Sequence, residues 1–323
     1  MTVTHEIIIS LTLLPGCGPA TVEKICTNLQ KLPQESLTSA ELIRLLGALK
    51  DSNSLPRFNV PDRETLEECI LKARRIISRS EELGIGIVSK YDSDYPDRLR
   101  STVDEKGKAS APVILYYRGD LSAASLPAVA IIGTRAPSPE GEKAALYLGG
   151  AFARLGCNIV SGLAIGCDTC GHRGALAAGG ITTAFLAGGL DRIYPEENAS
   201  LAESIVENGG LLMSEYPAGT PSNRYNLVAR DRLQAGLADA IVVVQTTVTG
   251  GTMHAANAAA AAGKPLYAVE YSTNVTPAKI AGNRFLVLEK GARALAGNAD
   301  LSRIVDSFAS GMQAEGGAEP TLF

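Results

Sequence analysis

Apolar residues recur at helical spacing through the first part of the chain. Four segments carry this pattern, and their sequences are HEIIISLTLL, ATVEKICTNLQKL, LTSAELIRLLGAL and PDRETLEECILKARRIISRSEELG. The break PGCGP separates the first two segments, and the turn-rich stretch KDSNSLPRFNVPD separates the last two. Residues that favour helix starts precede the apolar positions of the last two segments. The spacing therefore predicts an all-helical domain over residues 1–83.

A different pattern begins at Gly84 and continues to Phe308, where short apolar runs alternate with helical stretches. The predicted strands are IGIVS, VILYYR, AVAIIG, CNIVSG, TTAFLAG, LLMSEY, AIVVVQT, PLYAVE and RFLVLE. The predicted helices start near Ser138, Asp168, Ala199, Asn226 and Gly251. Continuously apolar strands are buried on both faces, which is typical of a parallel sheet covered by helices. Residues 84–308 are thus predicted to form an α/β domain with a doubly wound, mostly parallel sheet.

Composition narrows the class of protein. The chain has 30 Lys and Arg residues against 34 Asp and Glu residues, so a globally basic nucleic-acid binder is excluded and only a local basic site remains possible. Six cysteines in 323 residues do not form a disulfide framework. We see no signal peptide and no apolar stretch long enough for a membrane span, so we expect a cytoplasmic protein without a membrane partner.

The strand AVAIIG is followed by a turn that contains a permanent positive charge. Gly133 permits a tight turn, Thr134 or Ser138 can cap the next helix, and Pro139 suits its first position. The free N–H groups of a helix start attract anions, and Arg135 adds a planar fork that matches phosphate oxygens. A G-x-G-x-x-G fingerprint is missing, so ordinary NAD binding is disfavoured. The open alternatives are a phosphate contact and a salt bridge to a neighbouring loop.

The second strand-to-helix loop is VSGLAIGCDTCGHRGAL. Gly162 and Gly166 allow this loop to fold tightly, and Asp168 is placed to cap the following helix. Cys167 and Cys170 form a C-x-x-C pair, but a metal or redox site needs further ligands or a thioredoxin-like context, and neither is evident. We therefore expect no metal and no cofactor here.

Two later segments can also contribute to a ligand site. One carries Arg224, Arg230 and Arg232 before a buried strand, and because Arg230 and Arg232 are two residues apart on a helix, only one of them needs to face a ligand. The other places Gly250, Gly251 and Thr252 after a strand and at a helix start, which is a second potential phosphate cradle. A solvated helix face is the alternative for the arginines.

A glycine-rich turn near the N-terminus, LLPGCGPATVEKI, lies between two predicted helices. Such helix–hairpin–helix units present backbone N–H groups to a nucleic-acid backbone. A simple helical turn is the alternative.

In combination, these segments resemble the DNA-processing protein A (DprA/Smf) family. The match runs in the family's order from about Leu11 to Phe308 and includes GIGIVSKYDSDYPDRLR, IIGTRAPSPEG, GGLDRIYPEEN, GLLMSEYPAGT and ARDRLQAGLADAIVVVQT. The resemblance implies a small helical (helix–hairpin–helix or SAM-like) domain followed by an extended Rossmann-like domain. It implies a protein that is not an enzyme, binds single-stranded DNA without base specificity, delivers it to a RecA-type recombinase in natural transformation, and forms a homodimer through the Rossmann-like domain.

The resemblance also assigns residues. Arg135 matches the arginine of the family's Gly-Ser/Thr-Arg motif, which lines the DNA pocket, and Arg230 and Arg232 match the outer positions of Arg-Asn-Arg. The chain departs from the family at Ile165, where a DNA-holding lysine is usual, and at Asp231, the middle of Arg-Asn-Arg. Arg173 or Arg192 is a candidate to replace the lysine. Many members continue into a winged helix, and we expect none here, which is compatible with a divergent paralogue in recombination or defence.

The predicted DNA- or phosphate-binding residues come from all of these loops. They are Gly133, Thr134, Arg135, Ser161, Gly162, Gly166, Asp168, Arg173, Arg230, Arg232, Gly250, Gly251 and Thr252. The alternative function is a nucleotide sensor or an enzyme similar to phosphoribohydrolases, because TGGTMHAANAAAAAG shares their Gly-Gly-Thr. That helix has no carboxylate for acid–base catalysis, and His254 is a weak substitute.

The last fifteen residues, 309–323, are small and polar and predict a flexible tail. They end on Leu322 and Phe323, which loosely resemble the Leu-Phe peptides that bind the bacterial sliding clamp. An inert tail is the alternative.

Overall fold

A computed structural model describes residues 3–32, 37–55, 57–271, 275–297 and 299–311. Residues 309–311 belong to a helix, so part of the predicted tail is helical. The rest of that tail, with Leu322 and Phe323 of the predicted clamp contact, lies outside the described residues.

Four helices form the N-terminal region, as the sequence predicts. They are α1 (His5–Leu13), α2 (Pro19–Gln30), α3 (Ser39–Asp51) and α4 (Arg63–Glu82). Each buries its apolar stripe in one cluster, and Val113 and Ile114 from the neighbouring sheet join that cluster. The helical region is therefore packed directly onto the edge of the sheet.

The sheet has nine strands. They are β1 (Gly86–Ser89), β2 (Ile114–Gly119), β3 (Ala128–Ile132), β4 (Asn158–Ser161), β5 (Thr182–Leu186), β6 (Leu211–Ser214), β7 (Ala240–Val243), β8 (Leu266–Val269) and β9 (Arg293–Leu295). Their order is β1-β2-β6-β5-β4-β3-β7-β8-β9, and strands β3 to β9 are parallel to one another. Strand β2 is antiparallel to both of its neighbours, so the prediction of a mostly parallel sheet is confirmed.

Helices cover both faces of this sheet. They are α5 (Asp97–Arg100), α6 (Pro139–Arg154), α7 (Cys167–Ala177), α8 (Ala199–Glu207), α9 (Arg224–Leu237), α10 (Thr252–Ala261), α11 (Ala281–Glu289) and α12 (Leu301–Gly311). None of the described helices is both long enough and apolar enough to cross a lipid bilayer.

The prediction of a strand at RFLVLE is wrong, because these residues form the end of α11. The preceding Asn283 accepts from the Thr246 N–H and donates to the carbonyls of Val244 and Val269, which fixes the start of the helix against β7 and β8. A short apolar run does not distinguish a strand from a half-buried helix. The ninth strand is instead Arg293–Leu295, whose three residues are too few to be recognised as a strand from the sequence.

Helices α6 and α7 approach each other at backbone distance. A Cβ atom on Gly174 would overlap the Leu146 carbonyl oxygen, and one on Gly149 would overlap the Gly171 carbonyl oxygen. We call these four residues the glycine seam. It holds the two helices that follow β3 and β4 as one unit.

The strand order reverses at β3. The chain runs from β3 outward through β4, β5 and β6, and then returns to place β7 on the other side of β3. The loops after β3 and β7 consequently leave the same edge of the sheet in different directions. Ligands of doubly wound sheets bind at such a switch point.

Candidate nucleic-acid interface

A cleft of about 730 Å³ opens at this switch point. Its walls are the β3–α6 turn, the β4–α7 loop, one face of α9 and the β7–α10 loop. Four segments that the sequence singles out separately therefore meet around one space.

Arg135 projects from the β3–α6 turn and is exposed. The Thr134 N–H donates to the Gln245 carbonyl at 2.7 Å, and the Gln245 side chain accepts from the Ser138 N–H at 2.7 Å. The Ser138 hydroxyl caps α6 at the Gly141 N–H, as predicted. The turn is thus fixed by its backbone, while the Arg135 side chain makes no hydrogen bond or ion pair with the described residues.

The β4–α7 loop packs tightly on that turn. Gly166 has a φ of +92°, and a Cβ atom there would lie 2.5 Å from the Thr134 carbonyl oxygen. The same oxygen accepts from the Cys167 N–H at 3.2 Å. Only glycine fits this position, because it combines a left-handed backbone with a close approach. The two loops therefore form one wall.

Asp168 is buried beside this wall and does not cap α7, contrary to the prediction. Its carboxylate accepts from the Gly162 N–H at 3.0 Å and from the Ala164 N–H at 3.3 Å, so it shapes the loop that precedes the helix. Burial raises its pKa, and the Arg230 guanidinium and the two N–H donors partly oppose that rise. The helix is preceded instead by Gly166.

Arg230 forms part of the cleft floor and is only 4% exposed. Its Nη1 donates to the carbonyls of Gly162 and Phe185, each at 2.5 Å, and its Nε donates to Asp231 at 3.1 Å. A Cβ atom on Gly162 would overlap the guanidinium, so a larger residue there would displace the Arg230 side chain. Arg230 therefore ties α9 to the ends of β4 and β5.

Asp231 lies next to Arg230 and lines the cleft. Its Oδ1 accepts from Arg230 Nε and from Gln234 Nε2 at 3.0 Å. Burial raises its pKa to about 6; Asp168 adds to this rise, whereas Arg230 and His254 oppose it. The carboxylate thus titrates well above the usual range of aspartate.

One face of α9 runs along the cleft. Its residues follow spacings of three and four and are Arg224, Leu227, Val228, Asp231 and Gln234. Arg224, in the first turn, is exposed, and its side chain has no partner among the described residues. The helix face is therefore cationic at its N-terminus and acidic about two turns later.

The β7–α10 loop forms the opposite wall. Gly250, Gly251 and Thr252 line the cleft, and α10 begins at Thr252. His254, on the first turn of α10, contacts the Glu105 carboxylate at 2.9 Å through Nδ1. These glycines are placed where the sequence predicts a cradle.

Five predicted site residues do not line the cleft. Gly162 lines a small neighbouring pocket, and Gly166 packs against the β3–α6 turn. Ser161 is fully buried and donates to the Ile131 carbonyl at 2.6 Å, which links β4 to β3. Arg173 lies on an exposed face of α7 and is absent from the cleft lining. Arg232 points to the other side of α9, where it binds the Glu215 carboxylate through two nitrogens and Ser110 through Nε. The N-terminal glycine-rich turn contributes Cys17 to a separate pocket beside Arg232.

Other residues of the cleft are outside the predicted set of binding residues. Tyr194 lines the cleft and is 49% exposed, and Arg224 stands at its rim. Ile165, in the place of the family's lysine, is exposed in a small pocket with Arg135 and Tyr194. Tyr194 lies in the segment GGLDRIYPEEN, two residues after Arg192. An aromatic residue close to a basic one is typical of single-strand binding, and this pattern could have identified Tyr194 from the sequence.

The thiols and the imidazole of the C-x-x-C segment are largely shielded from solvent. Burial raises the pKa of the thiols of Cys167 and Cys170, so neither is poised as a thiolate. His172 is fully buried against Thr182, and burial lowers its pKa to about 3. Among the described residues, no three His, Cys, Asp or Glu side chains are grouped so that they could hold a metal ion.

Comparison with family models and curated proteins gives a consistent result. Residues 86–306 match the model of the family described as DNA recombination-mediator protein A. The DNA processing protein DprA of Bacillus subtilis is 31% identical over 234 residues, which is 72% of this chain and 75% of that protein. The aligned region spans about half (46%) of the longer Smf protein of Synechocystis.

Two solved structures are similar over most of their own length. The DNA processing protein A of Streptococcus pneumoniae aligns with a TM-score of 0.74 and 26% identity, covering 94% of this chain and 98% of that one. The DNA processing protein A of Helicobacter pylori, whose structure reports its single-stranded DNA binding mode, aligns with a TM-score of 0.58 and 27% identity. It covers 70% of this chain and 96% of its own.

Proposed function

Because this chain belongs to the DNA recombination-mediator protein A family, we propose that it binds single-stranded DNA in the cleft at the β3–β7 switch point. Phosphate groups contact Arg135 and Arg224 at the rim, and the glycine-rich loops after β3 and β7 bring backbone close to the strand. Contacts of this kind do not depend on the base.

The absence of a partner for Arg135 among the described residues is the observation that carries the proposal. An exposed arginine without a partner has all its N–H donors available to an approaching phosphate, and its planar fork can bind two oxygens. The salt-bridge alternative required a neighbouring carboxylate, and none of the described carboxylates contacts this guanidinium.

The first experiment measures binding of a fluorescent oligo-dT over a series of salt concentrations. Affinity should fall as salt rises, because phosphate contacts release counterions. Replacing Arg135 with alanine should weaken binding and reduce the slope of log affinity against log salt by about 0.7, one phosphate contact on a single strand.

Arg173→Ala is the matched control, since it removes the same charge from an exposed position outside the cleft lining. It should leave the slope unchanged. Equal slopes for wild type and Arg135→Ala would remove Arg135 from the interface. Salt-sensitive binding of a mononucleotide, with none for oligo-dT, would refute the DNA proposal itself.

We further propose that the chain acts in the cytoplasm as a binding protein that hands DNA to a RecA-type recombinase, rather than as an enzyme. Family membership supports this role, because the family is described as recombination mediators. We also propose a homodimer formed through the α/β domain, which would place two clefts on one strand and raise avidity. Sedimentation of the full chain measures its oligomeric state.

A further inference from the structure

One carboxylate oxygen on the cleft floor has no hydrogen-bond donor. Asp231 Oδ1 accepts from Arg230 and Gln234, but no donor from the described residues reaches Oδ2. The side chain is 16% exposed where it lines the cleft. Because two bonds to Oδ1 fix the carboxylate, Oδ2 is a pre-oriented acceptor at the ligand space.

Gln234 helps to hold the Asp231 carboxylate in place. This residue lines the cleft and is 2% exposed, and its Oε1 is buried without a hydrogen-bond partner. The bond from Nε2 to Asp231 fixes the amide orientation, because the reversed amide would place its oxygen against the carboxylate.

Apolar and aromatic side chains also line the cleft beside Asp231. Leu227 and Val228 precede it by four and three residues on the same helix face, and Tyr194 lines the cleft as well. A phosphate would be repelled by the carboxylate, and a hydrated cation would lose water against apolar side chains. A nucleobase, with flat apolar faces and a polar edge, fits both features.

We propose that Asp231 reads the amino-bearing edge of a nucleobase, so that the cleft prefers cytosine, adenine or guanine over thymine or uracil. This inference rests on the proposed binding of single-stranded DNA and adds base selectivity to it. An exocyclic amine donates an N–H to Oδ2. The 4-oxo group of thymine or uracil places an acceptor there, and two acceptors then face each other.

The test compares oligo-dC with oligo-dU of equal length, because these bases differ in the 4-amino and 4-oxo groups and the ring N3 that accompanies them. Wild-type protein should bind oligo-dC on the order of tenfold more tightly, the effect of one hydrogen bond to a charged acceptor. Both titrations are run with Mg²⁺ and with a chelator.

Asp231→Asn should bring the ratio of the two affinities close to one, because an amide can offer either its oxygen or its nitrogen to the base. Glu142→Gln is the control: it removes one negative charge from an exposed position in the first turn of α6, outside the cleft lining. It should preserve the wild-type ratio, which separates base recognition from a general loss of repulsion.

Equal binding of both oligonucleotides by the wild type overturns this inference and leaves the proposed function intact. A ratio that survives in Asp231→Asn also overturns it. A ratio of one together with Mg²⁺-dependent binding would assign the carboxylate to a cation instead. If neither oligonucleotide binds, the proposed function fails and the inference fails with it.

Discussion

The rim and the floor of the cleft both contain arginine, and the two regions use it differently. At the rim, Arg135 and Arg224 are exposed and have no partner among the described residues. On the floor, Arg230 is buried and donates to two backbone carbonyls and to Asp231. A floor arginine with engaged donors holds loops together, whereas a rim arginine keeps its donors for a ligand.

Sequence position does not reveal this difference. Arg230 and Arg232 occupy the same family motif, but the helix turns one toward the floor and the other toward Glu215 on the far side. The burial of each arginine and its hydrogen-bond partners therefore determine whether it is available to a ligand or holds neighbouring loops together. Loss of a floor residue should affect stability first, and changes at the rim should affect binding first.

The largest expected effect is on the stability of the floor. Replacing Arg230 with alanine leaves Asp168 buried without its neighbouring cation and removes the donor that the Gly162 and Phe185 carbonyls share. We expect the free energy of unfolding to fall by about 3–5 kcal/mol, the usual result of breaking a buried pair. Urea denaturation measures this change.

Arg224→Ala is the rim control on the same helix and should change the free energy of unfolding by less than about 0.5 kcal/mol. Equal losses of stability for the two variants would mean that the floor arginine contributes no more to the free energy of unfolding than the rim arginine does.

A second effect concerns pH. The pKa of Asp231 is raised to about 6, so the folded state binds a proton that the unfolded state releases near pH 4. This contribution to stability is complete at low pH and is lost as pH rises from about 4 to about 6. The loss amounts to at most about 3 kcal/mol, at 1.36 kcal/mol per pKa unit. Arg230, Asp168 and His254 are the charged neighbours that set this value.

Asp231→Asn should remove that pH dependence, measured as urea denaturation at several pH values. Asp120→Asn is a control with the opposite sign, because hydrogen bonds from Ser122 lower the pKa of the Asp120 carboxyl. Its contribution is present above about pH 4 and is lost as pH falls further. Identical pH profiles for wild type and Asp231→Asn would contradict the prediction.

The smallest effect should appear at the rim. Ile165 is exposed beside Arg135, so Ile165→Lys adds a cation where the family usually has one. Binding of oligo-dT should tighten by up to about 1 kcal/mol, the value of an exposed charge contact. Leu71→Lys, on the exposed face of α4, is the matched control. No tightening at Ile165 would mean that the strand does not pass over this part of the rim.

The sequence identified the loops of the site better than the roles of their side chains. Glycines after apolar runs correctly predicted which loops meet, because strand ends of a parallel sheet share one edge. The role of Arg232 depends on Glu215, seventeen residues earlier, and the carbonyls that hold Arg230 come from other strands. Such partners have no local signature.

The nine predicted strands show the same limit. Eight of them are strands in the structure, because buried parallel strands have a continuous apolar pattern. RFLVLE has that pattern too, but Asn283 anchors it as a helix through contacts with β7 and β8. Tertiary contacts overrode the local preference there.

The close packing of α6 and α7 at the glycine seam determines the width of the cleft, because both helices follow loops of one cleft wall. Helix α7 begins directly after Gly166, which abuts the turn that carries Arg135, and α6 begins just beyond that turn. A larger residue at Gly174 would push α6 and α7 apart. The two loops that precede these helices would then move as well. A substitution at Gly174 should therefore change the affinity for a ligand, although this residue does not line the cleft.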